Sequence, residues 1–69
     1  MRTEHYNLSR SEWENLIDEY IFKERDRAIL KRRLLDGVCF EPLAEEFDLS
    51  VQQTKTIVYR ATEKLIKHI

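Results

Sequence analysis

Apolar positions recur at helical spacing in four successive stretches. In the first, Trp13, Leu16, Ile17, Tyr20 and Ile21 follow the i, i+3, i+4, i+7, i+8 pattern of an amphipathic helix with one buried face. Ser9 and Glu12 make a capping box in front of it, and Leu8 with Trp13 makes the accompanying hydrophobic staple, so a helix is predicted over Ser9–Phe22. Continuing that stripe would place Glu24, Arg27 and Lys31 at its centre and bury three charges. A new stripe begins instead with Ile29, Leu30 and Leu34, which puts a break near Phe22 to Glu24 and a second helix over Glu24–Asp36. Gly37 supplies a left-handed cap there, with Lys31, Arg32 and Arg33 set favourably against the negative end of the helix dipole. The same three cations could touch phosphate.

The last two stretches are the most tightly specified. Pro42 lacks an amide donor, which is harmless in a first turn, so it marks a start, and Phe40 is expected to anchor the preceding loop. Leu43, Ala44 and Phe47 form the buried face of a short third helix, Phe40–Phe47. Ser50 and Gln53 can cap each other's amides, opening a fourth helix, Ser50–Lys67, that carries Thr54, Ile57, Val58, Ala61 and Leu65 on one face. Only Asp48 and Leu49 lie between the two, with Leu49 able to plug the angle. That is a helix-turn-helix pattern. The expected fold is all-α: a compact four-helix domain, residues 9–69, containing a helix-turn-helix. Residues 1–8 form a flexible tail before it, because Met1 to Asn7 shows no periodicity.

The opposite face of the fourth helix carries Gln52, Lys55, Thr56 and Tyr59. Gln and Lys hydrogen-bond base edges in a major groove and Thr meets a thymine methyl, so these four are the candidate base-reading residues. Ser50, Gln53, Arg60 and Arg33 are the candidates for the DNA backbone. The competing reading is an ordinary amphipathic helix with a solvated polar face.

Composition narrows the classes. Sixty-nine residues make one domain at most, with a core that supports roughly 3–5 kcal/mol of net stability. One Gly, one Pro and 36% charged residues point to helices and short connections. The formal net charge of -1 argues against a generic nucleic-acid coat, but the charges are segregated. Residues 1–22 sum to -3, 23–36 to +3, 37–49 to -4 and 50–69 to +3, so two basic segments flank an acidic one. Local Lys and Arg displace counterions, so a neutral chain with a basic face still binds DNA. The single Cys39 reads as a buried or capping thiol, and His5 as a surface residue without a second zinc ligand at metal spacing. No nucleophile-base pair, paired carboxylates or phosphate-cradling loop stands out, so neither catalysis, nor a cofactor, nor a metal is expected. No apolar run spans a bilayer and no secretory leader is visible, so the chain reads as cytoplasmic and free of the membrane.

From Arg25 to Leu65 the chain resembles region 4, the promoter-reading C-terminal domain of bacterial sigma factors, and the small sigma-like regulators related to it. The matching residues are the run Arg27 to Leu30, Leu34-Leu35-Asp36-Gly37, Leu43-Ala44, Phe47, Leu49-Ser50, Lys55, Arg60-Ala61 and Lys64-Leu65. Four positions depart from the family's pattern: Asp48 replaces a turn Gly, Thr54 an aliphatic residue and Arg32 an apolar one, and Pro42 interrupts a Glu-Ile-Ala run. The resemblance implies sequence-specific duplex DNA binding in transcription regulation, with a promoter-like element as partner and bacterial RNA polymerase as a further one to be tested. Family members that initiate transcription carry another domain to open promoter DNA, so a chain of this length is expected to act as a small sigma-like regulator or accessory factor and not as a complete sigma factor. Monomer and dimer stay equally open. The alternative is a protein-interaction module of the same fold, with little DNA affinity, that uses Tyr59, Gln52 and the acidic segment.

Overall fold

A computed structural model describes residues 8–68 as four helices: α1 (Arg10–Tyr20), α2 (Glu24–Leu34), α3 (Phe40–Glu46) and α4 (Val51–Ile66). Each expected helix is present, shortened at its ends because the predicted first residues of α1 and α4 serve as caps. Ser9 accepts from the Glu12 amide while Glu12 returns to the Ser9 amide, and Ser50 and Gln53 repeat the arrangement at α4. The expected tail lies outside the described residues, as do His5 and Ile69. Leu8 is the exception and packs against the core.

The core is one cluster to which every helix contributes: Trp13 and Ile17 from α1, Ile29 and Leu30 from α2, Leu43 from α3, and Val58, Ala61 and Leu65 from α4. Ile21 joins it from the corner between α1 and α2, where the backbone turns extended. That corner is fastened by Arg27, whose guanidinium donates to the carbonyls of Ile21 and Asp18. Lys31 closes the same corner with an ion pair to Asp18 at 2.8 Å. Leaving α2, Gly37 adopts φ +70, where the absence of Cβ removes the steric penalty.

The connection from α3 to α4 is tight. Asp48 takes φ +56, a left-handed conformation that Asp adopts more readily than most residues, and the Leu49 amide bonds back to the Ala44 carbonyl at 2.9 Å. Thr54 is 0% exposed, and its hydroxyl donates to the Ser50 carbonyl at 2.9 Å, which settles a polar group inside the core. Thr62 does the same toward Val58 at 2.6 Å; its burial was not anticipated, because threonine gives no apolar signal. Cys39 corrects the sequence reading: it holds the N-cap position of α3, but its side chain makes no cap hydrogen bond and is exposed. Arg32 explains its departure from an apolar pattern, since its guanidinium forks onto Glu46 at 2.7 and 2.9 Å, tying α2 to α3.

Candidate nucleic-acid interface

Helix α4 is positioned from beneath by its buried stripe and from its start by the capping box, so its outer face is held on a rigid element. The expected site residues divide into three groups. Ser50 and Gln53 are engaged with each other, each amide bonding the other's side chain at 3.0 Å, so both side chains hold the helix end.

Gln52, Thr56 and Arg60 lie toward the N-terminal end of α2. Gln52 and Arg60 are exposed, and Thr56 is half-buried, its hydroxyl donating to the Gln52 carbonyl at 3.0 Å. Gln52 and Thr56 line a shallow depression with Arg25, Leu49 and Ile57. Arg60 borders a second, larger one with Lys23, Arg25 and Lys64. Of these neighbours, Lys23, Arg25 and Lys64 were absent from the predicted site. Their signal in the sequence is the basic character of residues 23–36 and 50–69, but nothing local says that these two segments meet.

Lys55, Tyr59 and Arg33 gather instead around Phe40 on the α3 side. Tyr59 meets the Phe40 ring edge-on at 5.9 Å, the Lys55 ammonium lies 5.7 Å from its centroid, and the Arg33 guanidinium stacks 4.3 Å over it. Arg33 also donates to the Val38 carbonyl at 3.1 Å. It braces the loop before α3, the role expected of Phe40 alone. Tyr59 remains 53% exposed and lies at the boundary between this cluster and solvent.

Electrostatics separates the two sides further. On the α3 side Arg32 holds the Glu46 carboxyl below its ordinary range by hydrogen bonding, and Arg10 and then Arg32 do the same to Asp36. The same contacts raise both guanidinium groups. Glu41, Glu45 and Asp48 are exposed there. Near the α2 start, by contrast, no ion pair reaches Lys23, Arg60 or Lys64 among the described residues. Among those residues no three His, Cys, Asp or Glu side chains form a set that could hold a metal ion, and no helix is long and apolar enough to cross a membrane. Comparison with protein-family models, with curated proteins and with solved structures finds no match.

Proposed function

We propose that this chain binds duplex DNA sequence-specifically in transcription regulation, with α3 and α4 acting as a helix-turn-helix and α4 as the recognition helix. The observation that carries the reading is helix α4 from its start to Arg60. Its start is closed by a complete capping box, its inner face is buried, and Gln52, Thr56 and Arg60 follow one another along the outer face beside Lys23 and Lys64, which no ion pair reaches among the described residues. Such a helix offers base-edge partners near its N-terminus and phosphate partners further along. The residue pattern resembling sigma region 4 points to a promoter-like element as the DNA and to bacterial RNA polymerase as a further partner.

The acidic surface of α3, Glu41 and Glu45 in particular, favours a second reading, since the first helix of such a pair crosses the phosphate backbone. In that reading Tyr59, Gln52 and the acidic patch bind a protein.

One series of measurements separates the two. A site is selected from random duplexes, and affinities for that site and a scrambled duplex are measured across a salt series. Gln52→Ala should lower affinity for the selected site by ~1–3 kcal/mol and narrow its advantage over the scrambled one. Arg60→Ala should weaken both duplexes together and reduce the salt slope by about one unit. Parent protein that selects no site, or variants that bind both duplexes as the parent does, would replace DNA binding with the protein-interaction reading.

A further inference from the structure

The corner between α1 and α2 carries the most exposed large apolar side chain among the described residues: Phe22, at 80% exposure. Nothing in the fold requires an aromatic residue there. Its neighbour Ile21 supplies the core contact, and the backbone turn is fastened by Arg27 rather than by Phe22. Phe22 stands instead at the lip of a groove of about 400 Å³ that runs between the corner and the outer side of α4. The floor of the groove is apolar, made by Ile21, Ile57 and Ala61. Its rim carries four cations, Lys23, Arg25, Arg60 and Lys64, against one acid, Asp26. Among the described residues Arg25 pairs with that same Asp26 at 3.4 Å, and no ion pair reaches the other three cations.

We infer that this groove docks an acidic segment of a partner protein through an apolar anchor, a Phe, Leu or Trp side chain that packs on Phe22 and Ile57 while flanking carboxylates meet Lys23, Arg60 and Lys64. Charge complementarity selects the occupant. The unpaired cations call for carboxylate or phosphate, and the phenyl ring over an apolar floor separates these two. A carboxylate-bearing peptide brings aliphatic or aromatic side chains to cover Phe22, whereas the backbone of a closed duplex presents only phosphate and sugar to it. Aromatic anchors seated in a pocket, ringed by charges that stay at the rim, are the usual source of affinity and of steering, respectively. Because Arg60 belongs both to this rim and to the phosphate-facing side of α4, the acidic segment and duplex DNA compete. The docking itself does not rest on the DNA reading.

The test is a selection of the whole chain against a display library of random twelve-residue peptides, followed by affinities of the selected peptides, as synthetic products, for the parent, Phe22→Ala and Lys23→Glu. Enriched sequences should be acidic and carry at least one Phe, Leu or Trp. Each substitution should weaken their binding at least tenfold, while Phe22→Ala leaves the circular dichroism spectrum and the affinity for random duplex DNA as in the parent. An excess of unlabelled duplex should displace the peptide if the chain binds DNA; a chain that binds peptide but no duplex overturns the DNA reading and leaves the docking site standing. The proposal is overturned if no peptide is enriched, if enriched peptides are neutral or basic, if Phe22→Ala binds them as the parent does, or if Phe22→Ala weakens duplex binding by the same factor as peptide binding.

Discussion

Helix α4 has two flanks, and they spend their charges differently. On the α3 flank the cations are committed inside the fold: Arg32 forks onto Glu46 and reaches Asp36, Arg10 reaches Asp36 from α1, and Arg33 lies over Phe40. On the flank beside the α1–α2 corner, Lys23, Arg60 and Lys64 are left to solvent. The basic segment 23–36 therefore contains two kinds of residue. Arg27, Lys31, Arg32 and Arg33 tie neighbouring elements together, whereas Lys23 and Arg25 line the groove beside α4. The lesson is that a segment's net charge does not measure what it offers a partner. A guanidinium already held by a carboxylate has little left for phosphate, whereas an ammonium in water still has counterions to release.

Four measurements would break or sharpen this contrast, from the largest effect to the smallest. Leu43 is fully buried and is how α3 enters the core, so Leu43→Ala should cost about 2–5 kcal/mol in chemical denaturation. A loss well under that range would show that α3 is held by its polar braces and not by packing. Ser50→Ala removes the side chain that caps the Gln53 amide and should cost about 1 kcal/mol without changing the helical spectrum of the native state. An unchanged melt would mean that α4 does not depend on this start.

The third concerns acid. The folded carboxyls of Asp36 and Glu46 are held below their ordinary values of 3.8 and 4.5 by hydrogen bonds from Arg10 and Arg32. For a depressed carboxyl the stabilisation is complete above the unfolded value and is lost as pH falls through the folded one. Melting temperature should therefore decline as pH drops from about 4.5 downward, and Arg32→Ala should flatten that decline. An equal flattening by Lys64→Ala, on the other flank, would abolish the distinction. All three ion pairs are open to water, so the effect should shrink in high salt.

The smallest effect belongs to Phe22→Ala, which should leave stability within about 0.5 kcal/mol of the parent because the side chain is almost wholly exposed. A larger loss would show that Phe22 holds the corner. The cationic flank would then owe its aromatic residue to folding and not to a partner.

Much of the fold was legible because it depends on near neighbours. The break between α1 and α2 followed from three charges that a continued stripe would have buried, and the backbone is extended at Ile21 and Lys23. The capping boxes of α1 and α4 and the left-handed Gly37 were equally readable. The candidate site was less so. Gln52 and Arg60 are exposed as their positions on the helix required, but Lys55 sits half-buried beside Phe40, at the edge of the outer face. Helical periodicity assigns a direction to a side chain but does not say which neighbouring element fills that direction. Cys39 was misplaced for the same reason, since a small thiol carries no positional signal of its own.

By itself the sequence determined where helices start, stop and turn, because caps, stripes and left-handed residues act over separations of about three to five positions. Only the tertiary structure decided which charges are committed and which are open. Arg32 meets Glu46 across 14 positions and Arg10 meets Asp36 across 26. The groove at Phe22 joins Lys23 and Arg25 to Arg60 and Lys64, from opposite halves of the chain. Pairings of that range arise from how the helices pack on Ile17, Leu30, Leu43 and Leu65, and packing is a property of the assembled core that no single segment carries.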